Sequence, residues 1–180
     1  MSSRLQRGKV SAVFRSMDGD GDGYLTEADF RSITERWAEL RGSTPADHDR
    51  VAAIMLGWWT ALAEVADTDH DDRVTVEEVM TLVDRLPAML GSVTATASAL
   101  FDAADANRDD LISATEYRAL IEAWSGRRAD TDAVFDILDD DADGHLSRED
   151  FTELWTQFWA GDDPAAPGNW VFGRFTLPTA

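Results

Sequence analysis

A twelve-residue pattern rich in aspartate recurs four times along the chain, and it constrains the fold more strongly than any other feature. Each copy carries Asp at position 1, Asp or Asn at position 3, Asp at position 5 and Asp or Glu at position 12. The four copies span residues 18–29, 67–78, 105–116 and 139–150. A single Asp-Gly cluster is ordinary turn chemistry. Four aligned copies form an internal repeat, which indicates one structural unit used four times.

The spacing of these oxygen-bearing side chains matches the calcium loop of an EF-hand. A hard divalent cation takes about six to eight oxygen ligands, and such a loop supplies them from positions 1, 3, 5 and 12 and from the carbonyl of position 7. We therefore predict Ca²⁺ as the cofactor. The predicted ligands are Asp18, Asp20, Asp22, Tyr24 and Asp29; Asp67, Asp69, Asp71, Arg73 and Glu78; Asp105, Asn107, Asp109, Leu111 and Glu116; and Asp139, Asp141, Asp143, His145 and Asp150.

The residues that support these loops repeat as well. Position 8 is aliphatic and position 9 carries a hydroxyl in every copy, and apolar residues at helical spacing follow each loop. In EF-hands position 8 belongs to a short strand that pairs two loops, so we expect the first loop to pair with the second and the third with the fourth. The predicted fold class is all-α, with two pairs of helix-loop-helix hands packed into a compact body.

Each loop departs from the ideal pattern at one position. The outer loops keep Gly23 and Gly144 at position 6 but end in aspartate, whereas the middle loops end in glutamate but carry Asp72 and Asp110 at position 6. Position 6 needs a positive φ, which costs a residue other than glycine roughly 1 kcal/mol. Aspartate at position 12 is one methylene shorter than glutamate and favours a smaller ion. We therefore expect Mg²⁺ or Ca²⁺ at residues 18–29 and 139–150 and a response to Ca²⁺ in the middle loops.

Apolar periodicity and breaker residues predict eight helices. Their expected spans are 3–17, 27–41, 47–66, 76–90, 93–104, 114–125, 129–138 and 148–159. Thr44 is the expected N-cap before Pro45, Pro87 is expected late in the fourth helix, and Ser92 to Thr94 are expected to cap the fifth. The predicted units are an N-terminal EF-hand pair at residues 1–91, a C-terminal pair at 92–161 and an aromatic tail at 162–180.

The tail carries Trp170, Phe172 and Phe175, which is too aromatic for a disordered segment. We expect the tail to fold back on the body and to cover the surface that a target peptide would otherwise use. Deletion of residues 163–180 should then expose a surface that binds a hydrophobic dye.

The charge balance excludes several classes of partner. Asp and Glu number 35 against 16 Lys and Arg, a formal net charge of −19. Nucleic acids and anionic membranes need a positive surface, so we expect neither as a partner. There is no cysteine, and no stretch approaches the roughly 18 apolar residues of a membrane span. The first residues contain no secretory signal. We therefore expect a cytoplasmic protein, and a monomer.

With these four loops, the chain resembles the calerythrin and sarcoplasmic calcium-binding protein family along its full length. The resemblance depends on the four loops, the long interval between the first two, Asp29 at the end of the first loop, and a tail with Asn169-Trp170 and the segment 172–175. It implies two EF-hand pairs in one compact body that acts as a Ca²⁺/Mg²⁺ buffer or a modest sensor. One hand is often degenerate in that family, but the second loop here keeps its acidic residues, so we expect it to bind.

Three functions are compatible with these sequence features. The first is a calcium buffer or signal modulator, and the second is a sensor that regulates a protein partner when Ca²⁺ binds. A remote third is a photoprotein-like enzyme that holds a chromophore in the core. His70 and His145 lie within metal loops, and His48 lies near a predicted helix start. No nucleophile and base fall into a catalytic pattern, so we do not expect an enzyme.

Overall fold

Eight α-helices and four short strands form the part of the chain that the computed structural model describes, namely residues 3–41, 44–86 and 90–174. The helices are α1 (Arg4–Met17), α2 (Glu27–Arg41), α3 (Pro45–Ala66), α4 (Val76–Val83), α5 (Leu90–Ala104), α6 (Ala114–Ser125), α7 (Asp132–Leu138) and α8 (Arg148–Ala160). The strands are β1 (Tyr24–Leu25), β2 (Val74–Thr75), β3 (Leu111–Ser113) and β4 (His145–Ser147). A 3-10 helix, Pro167–Trp170, follows in the tail.

The strands pair the loops in the predicted way. β1 runs antiparallel to β2 with Leu25 opposite Val74, and β3 runs antiparallel to β4 with Ile112 opposite Leu146. These four residues are the aliphatic side chains of position 8, and all of them are buried. The all-α fold of two EF-hand pairs is therefore confirmed.

Three helix boundaries differ from the sequence prediction by three residues or more. α4 ends at Val83 rather than near residue 90, because Asp84 and Arg85 close a tight turn onto carbonyls of the preceding turn. Pro87 lies outside the described residues. α5 begins at Leu90, so the cap expected at Ser92 to Thr94 is wrong.

The third difference concerns α7, which begins at Asp132 and not at residue 129. The chain before it is held in a turn, since Ala129 N donates to Glu122 Oε1 and Asp132 N donates to Asp130 Oδ1. By contrast, Thr44 caps α3 through a bond from Asp47 N, and Pro45 occupies the first turn, as predicted.

One continuous core joins the two hand pairs. Trp58 of α3 lies 5.3 Å from Trp124 of α6 and 6.0 Å from Trp155 of α8, measured between ring centroids. The predicted boundary between residues 91 and 92 lies within α5. The division into separate units therefore stays a prediction, although the core that crosses it is a single cluster.

The described part of the tail packs on the C-terminal hands. The ring of Phe172 lies 4.8 Å from Phe158 and 5.1 Å from Trp124, and Tyr117 Oη donates to the carbonyl of Trp170 at 3.1 Å. Phe175 lies outside the described residues. Within residues 3–41, 44–86 and 90–174, none of the helices has the length and apolar character that a membrane crossing needs.

Candidate metal centres

The aspartate at position 1 organises each loop by accepting backbone N–H groups from the residues that follow it. In the first loop Asp18 accepts from Gly21 N at 2.7 Å, from Asp22 N at 3.2 Å and from Gly23 N at 3.0 Å. Asp67 and Asp105 accept the three equivalent bonds in their own loops, and Asp139 accepts the two from Asp143 N and Gly144 N. Position 1 therefore curls the backbone so that the other oxygens face one point.

Position 5 extends this pattern by accepting from the N–H of position 7. The four bonds run from Tyr24 N to Asp22 (2.9 Å), Arg73 N to Asp71 (3.0 Å), Leu111 N to Asp109 (3.0 Å) and His145 N to Asp143 (2.9 Å). These bonds fix the peptide plane on one side of position 7. Its carbonyl oxygen is the ligand that this position would supply.

Three of the loops gather carboxylates into compact clusters. One oxygen from each member of a cluster lies within 4.8 Å of the others, and the clusters are Asp18, Asp20 and Asp22; Asp67, Asp69 and Asp71; and Asp139, Asp141 and Asp143. The third loop has an amide at position 3, where Asn107 Oδ1 accepts from Asp109 N at 3.1 Å. Positions 1, 3 and 5 of each loop therefore offer side-chain oxygens, the ligand atoms that Ca²⁺ and Mg²⁺ prefer.

Positive φ angles occur at two positions of every loop. At position 6 the angles are 87° for Gly23, 61° for Asp72, 62° for Asp110 and 87° for Gly144, as predicted. Position 4 was not predicted; its angles are 73° for Gly21, 60° for His70, 62° for Arg108 and 55° for Ala142. Gly21 was the one sign of this second left-handed residue in the sequence.

The carboxylate at position 12 holds its own loop in a closed form in three cases. Asp29 accepts from Gly19 N at 3.1 Å, Glu78 accepts from Thr68 N at 3.0 Å, and Glu116 accepts from Ala106 N at 2.8 Å. Asp150 is exposed, and its hydrogen bonds among the described residues come from Ser147. The two loops that end in aspartate thus differ in the burial of that residue, because Asp29 is only 7% exposed whereas Asp150 is exposed.

The arrangement concentrates negative charge. The Asp143 carboxylate and partial desolvation raise the pKa of exposed Asp141. Partial desolvation and the carboxylates of Asp71 and Glu78 raise the pKa of exposed Asp69. Hydrogen bonds from Thr75 and Thr68 lower the pKa of Glu78 to about 2, so this ligand is ionised at neutral pH. A bound divalent cation would offset the repulsion between these groups.

Sequence reasoning missed a cross-hand ion pair at the third loop. Arg148, the first residue of α8, places Nη2 2.7 Å from Asp102 Oδ1 and 3.1 Å from Asp110 Oδ1. Its guanidinium also lies 4.3 Å from the ring centroid of Phe101. Asp110 is the strained residue at position 6, so the fourth hand supplies its carboxylate with a cation. The pattern of the loops alone contains no signal for this contact.

Comparisons with known proteins place the chain among EF-hand proteins. A family model described as an EF-hand domain pair matches residues 2–36 and 128–157, and one described as an EF hand matches residues 98–121. The sarcoplasmic calcium-binding protein of Scylla paramamosain is 30% identical in an alignment of 180 positions that covers 92% of this chain and 93% of that protein.

Two solved structures share the fold at low sequence identity. The calcium-loaded apo form of the coelenterazine-binding protein from Renilla muelleri has a TM-score of 0.77 and 18% identity, over 97% of this chain and 100% of that one. A calcium-binding protein from Streptomyces coelicolor, described in connection with prokaryotic calcium-mediated regulation, has a TM-score of 0.71 and 20% identity. The match covers 88% of this chain and 99% of that one.

Proposed function

Because the chain belongs to the sarcoplasmic calcium-binding protein family, we propose that it acts as a buffer of Ca²⁺, with Mg²⁺ as a competing occupant of two loops. Calcium binding itself follows from the family and from the EF-hand matches. The buffer role, the individual ligands and a cytoplasmic, monomeric state form the proposal.

The observation that carries the proposal is the shared backbone geometry of the four loops. All of them show the bonds to position 1, the bond from position 7 to position 5 and the two positive φ angles. Four loops of this geometry give one small chain the capacity to hold several divalent cations, and that capacity is what a buffer needs.

The difference between Asp29 and Asp150 supports the proposed role of Mg²⁺. Both end an outer loop, and both are too short to approach an ion as glutamate does. Mg²⁺ demands shorter bonds of about 2.0–2.1 Å and usually keeps several waters. Exposed Asp150 leaves room for such waters, whereas buried Asp29 restricts them. We therefore expect stronger Mg²⁺ competition at residues 139–150 than at 18–29.

A sensor is the second candidate, and an apolar cavity favours it. The cavity, of about 180 Å³, lies between the N-terminal pair and helices α5 and α8, and it is lined mainly by apolar side chains, among them Trp58, Leu62, Val65 and Leu82. Val65 is exposed, so the cavity reaches the surface between α3 and α4. A rearrangement of these helices on Ca²⁺ binding would present an apolar surface to a protein partner.

We infer no catalytic role. His48, His70 and His145 lie at loop or helix surfaces, and none of them joins a nucleophile in the described residues. The likeness to a coelenterazine-binding protein is a likeness of fold at 18% identity, and fold does not determine function.

Calorimetric titration of the metal-free protein with Ca²⁺, with and without millimolar Mg²⁺, tests the proposal. A buffer predicts three or four sites, with Mg²⁺ weakening Ca²⁺ binding at the outer loops. Dye fluorescence recorded in the same titration distinguishes the sensor, because a sensor gains a hydrophobic surface as Ca²⁺ binds. One or two sites without Mg²⁺ competition would reject the buffer.

A further inference from the structure

Arg36 lies on α2 beside the carboxylate that ends the first loop. It follows Asp29 by seven residues, which places both on one face of the helix. The two side chains bracket Gly19: an atom at the Cβ position of that glycine would be 3.8 Å from Asp29 Oδ1 and 4.0 Å from Arg36 Nη1. The same Oδ1 accepts the hydrogen bond from Gly19 N. The guanidinium therefore lies close to Gly19 and to Asp29, the predicted ligand at the end of the first loop.

The other edge of the guanidinium is bound to the third hand. Arg36 Nε donates to the carbonyl of Ala123 at 2.8 Å, and Nη2 donates to the carbonyl of Trp124 at 3.3 Å. Both acceptors belong to the last turn of α6, where backbone carbonyls lack helical partners and the helix dipole attracts a cation. Gly126, with φ of 66°, ends α6 against the Arg36 side chain.

These contacts with α6 hold the Arg36 guanidinium close to the first loop. A free arginine on the surface would move away from an arriving divalent cation. The bonds to α6 and the half-buried surroundings restrict that movement. Burial lowers the pKa of Arg36 and the Asp29 carboxylate opposes this effect, but the side chain stays charged at any physiological pH.

We propose that Arg36 lowers the cation affinity of the first loop, and that the third hand, by fixing Arg36 through α6, sets how strongly it does so. The inference rests on the proposed ion site at residues 18–29. It assigns a specific electrostatic role to a residue outside the twelve-residue loop. It also makes the first loop depend on a hand with which it shares no strand pairing.

Titrations of Ca²⁺ followed by NMR can resolve the loops separately. The amide of Gly23 donates to Asp18 Oδ2 and reports the first loop, while the amide of Gly144 donates to Asp139 Oδ2 and reports the fourth. Arg36→Gln removes the charge and keeps an amide donor. Arg31→Gln is the matched control, because Arg31 lies on the same helix with its charge paired to exposed Glu27.

Arg36→Gln should raise the Ca²⁺ affinity reported by Gly23 about threefold at low salt, and the gain should shrink at high salt. Gly144 should not respond to the substitution, and Arg31→Gln should change the Gly23 midpoint less. Arg36→Lys, which retains the charge but cannot reproduce both guanidinium bonds to α6, should raise the affinity reported by Gly23 less than Arg36→Gln does. Salt dependence separates this electrostatic role from a purely structural one.

Two results would overturn the inference while leaving the site in place. One is an Arg36→Gln midpoint at Gly23 that equals that of the unchanged protein, and the other is an Arg36→Lys midpoint that equals that of Arg36→Gln. A Gly23 resonance that does not move when Ca²⁺ is added to the unchanged protein would instead refute the first ion site, and this inference with it.

Discussion

Lys9 Nζ lies 3.0 Å from Asn169 Oδ1, and this hydrogen bond ties the first helix to the tail. The same ammonium donates to the carbonyls of Gln157 and Gly161 at 3.2 and 3.1 Å. The Lys9 side chain is 0% exposed. The chain's one lysine therefore occupies its interior, where it satisfies the end of α8 and holds the segment that follows.

Replacement of this ammonium should destabilise the protein. Lys9→Met preserves the length of the side chain but removes all three donors, so buried oxygens lose a partner. We expect the free energy of unfolding in urea to fall by about 2 kcal/mol. Arg7→Met is the control, since Arg7 is exposed and makes one long surface contact with Glu77. Equal effects of the two substitutions would contradict the anchoring role of Lys9.

Lys9 should also give stability a dependence on alkaline pH. Burial lowers its pKa from 10.5 to about 8, against the opposing attraction of Asp162. Between these values the unfolded chain binds the proton and the folded protein has released it. The free energy of unfolding should therefore rise with pH from about 8 to 10.5 relative to that of Lys9→Met. Urea midpoints of both proteins across this range measure the difference, and parallel curves would exclude the shift.

Because position 4 has a positive φ, replacing alanine by glycine in one loop and glycine by alanine in another should have opposite effects on stability. Ala142 has φ of 55°, whereas Gly21 occupies the equivalent place at 73°. Ala142→Gly should stabilise the metal-free protein by up to about 1 kcal/mol, and Gly21→Ala should destabilise it by a similar amount. A Cβ at Gly21 would meet nothing within 4 Å, so the cost is one of backbone conformation. Thermal unfolding of both variants provides the measurement.

The two aspartates at position 6 should respond unequally to glycine. Asp110 pairs with Arg148 at 3.1 Å, while the Asp72 carboxylate has no ion pair among the described residues. Asp72→Gly should gain about 1 kcal/mol from relief of the positive φ. Asp110→Gly should gain less, because an exposed ion pair worth up to about 1 kcal/mol is lost.

Adding Arg148→Ala to both variants tests this explanation. Once the arginine is gone, the two glycine substitutions should have similar effects on the unfolding free energy. A persistent difference would show that the ion pair is not its cause.

Removal of the tail should expose an aromatic surface. Deletion of residues 163–180 removes Phe172, whose ring packs on Trp155 at 5.0 Å and on Trp159 at 5.8 Å. The fluorescence of a hydrophobic dye should rise several-fold with this variant. Arg174→Ala is the control, because this exposed side chain lies in the same segment and Phe172 is kept, so dye binding should stay near its original level. Unchanged dye fluorescence after the deletion would count against a covered surface.

The repeat predicted what depends on local chemistry. The aliphatic residues at position 8 predicted that Leu25 pairs with Val74. The glycine at position 6 of the first loop, Gly23, predicted the positive φ that Asp72 adopts at the same position of the second. These features follow from the twelve-residue pattern alone. The proposed ligands stay predictions, since their geometry is compatible with an ion but does not by itself test binding.

What the sequence did not show depends on contacts between distant residues. The sequence alone does not indicate that Lys9 is buried, because α8 and the tail surround it only in the folded protein. The proposed role of Arg36 likewise depends on the packing of α6 against α2. The early end of α4 at Val83 likewise reflects a local turn that competes with an apolar pattern favouring a longer helix. Helical periodicity identifies a face, but it does not determine which residues of another hand will meet that face.

The position of Trp58 has a consequence for any optical study of this molecule. Its indole belongs to a helix of the second hand, yet it lies among the rings of Trp124 and Trp155 from the third and fourth. Excitation energy absorbed by one of these rings is shared with its neighbours at such distances. The emission of these rings therefore reports on the second, third and fourth hands together, and a change at one of their loops affects the signal of all three.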